Sequence, residues 1–387
     1  MEGTQTLNMP ASVEEARQKI LSLREAVLNR VVGREEAVDG ILLAISTKQH
    51  AVMVGPPGTA KSYIALAITS MVEARVYRYL MTRYTTYDEI FGPIDVAELA
   101  RSGTLRRNWS PITEAEFVFL DEIFNANSAI LNSLLSLMQE RIVYDPLTGT
   151  AREARLWTMI GATNRAPEEE ELAAVYDRFA IKLFTQPISG NAEKVAAALE
   201  RRWLREAKPE VKITMEDVKT LHDYITSMLR SEEVLKLYNV YVVPLVQMIA
   251  SKMYISDRTI IEKLPLLFAA SMLLHGEVSE AAAAGAAYRI VNYLARTPDE
   301  LNEVKNAVNE VLGELADMRT KLQQAYTLLE NLEFNKALEL FREVALIDLR
   351  KFENKPWMMS MAKSMVEEAQ QQLLRIQNEL SKFKIRR

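Results

Sequence analysis

The residues best suited to do chemistry are Gly55-Pro56-Pro57-Gly58-Thr59-Ala60-Lys61-Ser62. Small residues at this spacing let successive backbone N–H groups wrap phosphate oxygens, where a Cβ would obstruct them. Lys61 brings a point charge to the β- and γ-phosphates, and the Ser62 hydroxyl is a ligand for Mg²⁺. Ala60 departs from the usual pattern, which has a second glycine there. Alanine accepts helical φ/ψ, so Ala60 is expected to lie already in the first turn of the next helix. A second group is Asp121-Glu122, closing the apolar run Phe117-Val118-Phe119-Leu120. Asp121 suits the Mg²⁺ shell, and Glu122 can polarise an attacking water. An acidic pair after an apolar run is common by itself; downstream of a phosphate loop it becomes specific.

Three further side chains follow. Asn164 closes Gly161-Ala162-Thr163-Asn164 and offers an amide to water or a γ-phosphate, although a helix cap or turn would use the same residue. Arg178 stands in Tyr176-Asp177-Arg178-Phe179, and Arg258 in Ile255-Ser256-Asp257-Arg258. Each alone reads first as a surface ion-pair residue. A cation delivered to a γ-phosphate, however, can be worth a factor of ~10³–10⁵.

These groups need a scaffold, and the pattern supplies one. Short apolar strands are expected at Val52–Val54, Val76–Tyr79, Phe117–Leu120, Trp157–Ala162 and Ala180–Phe184, alternating with helical stretches. That alternation specifies an α/β fold with a parallel sheet. A turn at Asp145–Gly149 between Ile142–Tyr144 and Ala154–Trp157 reads as an inserted β-hairpin. From Asn191 onward no convincing strand is seen. Leu301, Val304, Val308, Val311, Leu315, Met318, Leu322, Ala325, Leu329 and Leu332 then alternate spacings of three and four. A second such seam runs Met359, Ala362, Val366, Ala369, Leu373, Ile376, Leu380, Phe383, with a shorter helix between the two. Helices of this kind form a bundle or a coiled-coil hairpin. The expected divisions are 1–190 for the α/β core, 191–296 for an all-helical lid and 297–387 for the long helices.

Composition narrows the function classes. The chain has 387 residues, no cysteine and three histidines, which excludes disulfides, thiol catalysis and Cys-based metal sites. Lys+Arg 47 against Asp+Glu 52 gives a net charge of −5, an argument against a dedicated duplex-DNA binder. No basic-then-apolar leader opens the sequence, and the longest apolar run, near Leu264–Leu274, is interrupted by Pro265. A cytoplasmic protein with no membrane span is expected.

The ordered set of motifs resembles the AAA+ ATPases of the helix-2-insert clade and, within it, the MoxR family, closest to its RavA branch. The resemblance is carried by Gly55–Ser62, Thr85-Thr86-Tyr87-Asp88-Glu89-Ile90-Phe91-Gly92-Pro93, Phe119–Phe124, Ala129–Asn132 with Gln139-Glu140-Arg141, Tyr176–Phe179 and Ile255–Arg258, over roughly residues 30–275. It implies ATP and Mg²⁺ as ligands, Gly55–Ser62 with Asp121 and Glu122 as the two Walker motifs, and Val32 and Gly33 flanking the adenine. Asn164 would be sensor 1. Arg178 would be a finger reaching the neighbouring subunit's nucleotide, with Arg165 the weaker candidate, and Arg258 would be sensor 2, coupling the lid to the γ-phosphate. Arg141 would contact an adjacent subunit. Residues 91–110 would hold the helix-2 insert and residues 140–157 the pre-sensor hairpin. The family is thought to form hexameric homo-oligomeric rings that remodel protein clients, often beside von Willebrand factor A-domain proteins. The RavA type interrupts its helical bundle with a small β-rich domain, and no stretch of 297–387 has that pattern.

Two other functions compete. A nucleic-acid motor would use Arg101, Arg106 and Arg107 of the insert, but Asp95 and Glu98 lie close by and no aromatic residues interleave with them. A nucleotide-gated scaffold would be expected to have lost Glu122, which is present.

Overall fold

The computed structural model describes residues 9–203, 211–275, 278–330, 333–353 and 356–384. Two compact units are present: residues 1–235 with 255–298, and residues 236–254 with 299–387.

In the first unit, helices α1 (Ala11–Leu28) and α2 (Glu35–Thr47) lead into strand β1 (Ala51–Val54), the phosphate loop and α3 (Lys61–Ser70). After a two-residue strand β2 (Val72–Glu73) come β3 (Val76–Leu80), α4 (Tyr87–Phe91), α5 (Val96–Ser102), β4 (Phe117–Asp121) and α6 (Ser128–Glu140). A hairpin of β5 (Ile142–Tyr144) and β6 (Ala151–Glu153) precedes β7 (Thr158–Thr163), α7 (Glu170–Tyr176) and β8 (Ile181–Phe184). The main sheet has the order β3-β4-β7-β1-β8, and all its pairings are parallel. Every residue of β1 is buried because the strand has a neighbour on each side and packs against α2, which is why it is uniformly apolar. β3 lies at the edge and alternates exposed with half-buried residues.

The hairpin's second arm sits three residues earlier than its sequence suggests. Asp145 closes the turn itself: its carboxylate accepts from Leu147 N (3.0 Å) and Thr148 Oγ1 (2.8 Å), and its N–H donates to Thr150 O at 2.8 Å. The returning strand therefore starts at Ala151 rather than Ala154. A strand also occurs beyond Asn191, contrary to expectation. After α8 (Ala192–Trp203), β9 (Ile213–Thr214) pairs with β2 before α9 (Met215–Met228) begins. α10 (Glu232–Tyr241) and α11 (Val243–Ala250) follow. Glu232–Ala250 is long and apolar enough to cross a membrane by length and composition, which the run-length reading missed. Val234, Leu245, Val246 and Ile249 are buried in a stretch that is 39% buried. A turn of π-helix, Thr259–Lys263, leads into α12 (Leu264–His275), which packs on α2 and on α13 (Glu280–Asn292).

The second unit is built by residues 236–254, which carry α11, together with α14 (Pro298–Glu330), α15 (Phe334–Ala345) and α16 (Pro356–Lys384). Leu301, Val304, Val308, Leu315, Met318, Leu322 and Ala325 of the first seam are buried, as are Ala362, Val366, Ala369 and Ile376 of the second. Tyr326 stacks edge-on against Phe341 and donates to Glu368 at 2.7 Å, so the three helices meet around one ring. Leu332 and the side chains of Val311, Leu380 and Phe383 lie outside the described residues.

Candidate nucleotide site

Strand order assembles the site. β7 lies between β4 and β1, so Asn164, just past β7, falls between the Asp121-Glu122 pair and the phosphate loop. The contacts follow that geometry. Lys61 Nζ donates to Pro56 O (3.0 Å), to Gly55 O and to Asn164 Oδ1 (3.2 Å). The Asn164 amide in turn donates to Glu122 Oε1. Ser62 Oγ donates to Asp121 Oδ2 at 2.6 Å. A hydroxyl and a carboxylate in contact are the hard oxygen donors that Mg²⁺ takes alongside phosphate and water, so the residues present fit that ion.

Backbone shape explains the loop's composition. A Cβ at Gly55 would lie 2.2 Å from Thr185 O, so only glycine fits. Gly58 adopts φ +79, a left-handed backbone that glycine takes without strain. Ala60 corrects the sequence reading. It is not in the helix's first turn but caps it in the left-handed region, φ 68 and ψ 19. The chain must reverse there before Lys61 can begin α3, and that reversal is what the usual glycine serves. Glu122 is also left-handed, φ 50, and this turn carries its carboxylate off the strand axis toward Asn164.

Charge in the site is tuned by burial. Desolvation lowers the Lys61 ammonium below the ordinary lysine value, opposed by Glu122 and Asp121. Desolvation raises Glu122 above the usual carboxylate range, with the Asn164 hydrogen bond opposing it. A raised carboxylate is the better proton acceptor for an attacking water.

Val32 and Gly33 lie on the segment before α2. Gly33 is left-handed (φ +64) and sits against the Lys194 side chain of α8. Arg34, which the sequence reading passed over, ties this segment to the phosphate loop by donating to Thr59 O at 2.9 Å. Thr59 also meets Thr185, beyond β8, at 2.8 Å between hydroxyls. Arg165 is exposed beside Asn164.

The two arginines lie elsewhere. A cavity of ≈ 130 Å³ is lined by Lys48, Gln49, His50, Met138, Gln139, Arg141, Arg178, Arg258, Glu262 and Lys263. Lys48–His50 immediately precede β1 and the phosphate loop follows it, so this cavity is at the opposite end of the strand, ~13 Å of strand away. Arg258 is thus brought to Arg178 and not to Lys61. With its carbonyl oxygen toward the guanidiniums, the Gln139 amide accepts from Arg178 Nη2 (2.7 Å) and Arg258 Nη1 (3.2 Å). Arg258 also pairs with Glu262 at 2.7 Å. Burial, and then the charge of Arg258, lower the Arg178 guanidinium. Lys263 is pulled down to about 7 by burial and by Lys182, Arg178 and Arg258.

Arg141, expected to face another subunit, is engaged within its own chain. It donates to the carbonyls of Met138, Lys48 (3.3 Å) and Trp157 (3.4 Å), and burial pushes its pKa down to about 10. His50 beside it is fully internal. Its Nδ1 accepts from Met159 N at 2.9 Å, so Nε2 carries the proton and donates to Met138 O at 3.0 Å. Burial, followed by the Arg141 charge, lowers it to about 3.

With this geometry in place, comparison with known proteins is decisive. A family model described as the MoxR domain in the MoxR-vWA-beta-propeller ternary systems matches residues 18–223, more than half of the chain. The chain belongs to the MoxR family. Two uncharacterized proteins of Methanocaldococcus jannaschii are similar to this MoxR chain. One is 38% identical over 204 residues (52% of this chain, 53% of the relative), the other 36% identical over 214 residues (54% of each). The chain therefore spans about half the length of these relatives. The Holliday junction branch migration subunit RuvB of Pseudothermotoga lettingae is 27% identical over 161 residues, 38% of this chain and 42% of RuvB. A crystal structure from Cytophaga hutchinsonii, provisionally designated an ATPase, superposes with TM-score 0.54 at 20% identity, covering 73% of this chain and 88% of that one. That likeness supports the AAA+ fold, an α/β core with a parallel sheet followed by helices.

Proposed function

We propose that this MoxR chain hydrolyses Mg·ATP in a ring of identical subunits and uses the cycle to remodel a protein partner. The observation that carries the reading is the hydrogen-bonded run Lys61–Asn164–Glu122 beside Ser62–Asp121, with Arg178 and Arg258 at the other end of the sheet. Mg²⁺, when bound, would neutralise charge on the phosphate oxygens and be held by Ser62 and Asp121. Backbone N–H groups of Gly58, Thr59 and Ala60 and the Lys61 ammonium bind the phosphates, Val32 and Gly33 flank the base, and Asn164 keeps Glu122 aimed. Glu122 accepts the proton of the attacking water. Because Arg178 and Arg258 share one cavity far from their own phosphate loop, both are proposed to serve the nucleotide of a neighbouring copy.

In this reading residues 1–190 are the nucleotide core, 191–296 the lid and 297–387 a client- or partner-facing bundle in a cytoplasmic assembly of six. The description of the matching family model supports a von Willebrand factor A-domain partner. Placement in the RavA branch rests on the sequence phrases alone. The nucleic-acid alternative loses one of its three arginines, because the Arg107 side chain is 0% exposed and bound to acids.

The test is steady-state ATP hydrolysis against protein concentration, with light scattering, for wild type, Glu122→Gln and an equimolar mixture of Lys61→Ala with Arg178→Ala. Turnover that rises with assembly, is lost in Glu122→Gln and is partly restored in the mixture is expected. Turnover per chain that does not change from monomer to assembly would overturn the shared-site reading.

A further inference from the structure

We propose that Lys263 is a positioning residue for Arg178: its ammonium holds the backbone that presents the Arg178 guanidinium. The inference rests on Arg178 being the cation for a neighbouring site. Lys263 Nζ donates to Asp177 O at 2.7 Å and lies 3.5 Å from Arg178 O. The residue is only 8% exposed. Asp177 caps the end of α7, where free carbonyls collect and a cation is favoured.

The local fold explains how one segment reaches Arg178 twice. In an α-helix, residues five apart are rotated by roughly 140° and face different ways. Arg258 and Lys263 are five apart, but the residues that follow Arg258, Thr259–Lys263, form a π-turn, whose i→i+5 bonding brings such residues to one side. Arg258 therefore meets Gln139 beside the Arg178 guanidinium while Lys263 holds the peptide behind it. The cost of this placement is visible: a buried ammonium is disfavoured by the charges of Lys182, Arg178 and Arg258, which that of Asp177 opposes. A methionine would fill the space without that cost but could bind neither carbonyl.

The experiment is a double-mutant cycle on the full chain, reading kcat and KM for ATP. It uses wild type, Lys263→Met, Lys263→Arg, Arg178→Ala and the Lys263→Met/Arg178→Ala pair. Lys263→Met is expected to lower kcat about 10²-fold while KM stays within about twofold, as misplacement of a catalytic group does. Lys263→Arg should recover most of the loss, and Lys263→Met should cost nothing further once Arg178 is alanine. An equal loss in the Arg178→Ala background, or a loss confined to KM, would show that Lys263 does not act through Arg178. Wild-type turnover by Arg178→Ala alone would instead sink the finger reading, and this inference with it. Where circular dichroism shows Lys263→Met unfolded, Lys263→Gln, which keeps an N–H donor, replaces it in the same cycle with the same two opposing outcomes.

Discussion

Ala60 is one of four described non-glycine residues, with Lys48, Glu122 and Arg141, whose backbone is left-handed. Its left-handed φ of 68 costs an L-residue about 1–2 kcal/mol, and glycine pays instead through a more flexible unfolded chain. The difference leaves a small net gain, so Ala60→Gly should stabilise by up to ~1 kcal/mol and preserve turnover. Ala60→Val, β-branched at the same φ, should destabilise by ~2 kcal/mol or more and weaken ATP binding. Thermal melting with and without nucleotide checks both. That Lys61, Ser62, Asp121, Glu122 and Asn164 come together was legible because it follows from residue type and order along alternating strands. The backbone at Ala60 was not, since alanine carries no mark of φ; the only hint was the glycine that usually stands there.

Among elements, the insert and the hairpin are joined by one buried side chain. Arg107 donates through Nε to Asp145 Oδ2 (2.9 Å) and through Nη2 to Oδ1 (3.2 Å). Its Nη1 reaches Asp88 (2.6 Å) and Gly92 O, and the guanidinium lies over the Tyr87 ring. Tyr87 then donates to Tyr144 O at 2.9 Å, a second tie to the hairpin. The Arg107 and Asp145 side chains are both 0% exposed. Removing one partner strands the other's charge, so Arg107→Met should cost ~3–5 kcal/mol, whereas the pair Arg107→Met/Asp145→Leu should recover much of it. Urea unfolding measures the loss, and faster amide exchange across β5 and β6 should accompany it. Local pattern located the hairpin and the family resemblance the insert, but neither located this clamp. Arg107 and Asp145 are 38 residues apart, and no periodicity links an arginine to a distant acid. The same local turn chemistry at Asp145 displaced β6 from its expected position.

For the molecule as a whole, the five strands of the main sheet could be read from the chain, but the short β2–β9 pair, the strand order and the position of the lid could not. Both depend on crossovers between distant segments, which is why Arg258 belongs with Arg178 and not with Lys61. The end of the sheet carrying these arginines also sets a pH dependence. His50 is held neutral with its pKa lowered to about 3 from 6.5, so above pH 6.5 it is neutral folded or unfolded. Below that value the unfolded chain takes up a proton that the folded chain refuses, and stability falls by up to about 1.4 kcal/mol per pH unit until the folded pKa is reached. His50→Gln should be less stable at pH 7 but lose less between pH 6 and 4, as read from urea midpoints. That same end of the sheet has a practical consequence. Its ≈ 130 Å³ cavity sets Lys48, Arg141, Arg178, Arg258 and Lys263 against the single carboxylate of Glu262. An isolated subunit in phosphate or sulfate buffer offers those cations a small anion. A folded state that binds it gains RT ln(1 + [L]/Kd), so apparent melting temperatures will depend on the buffer salt. Chloride or an organic buffer is therefore the proper reference for every stability comparison above.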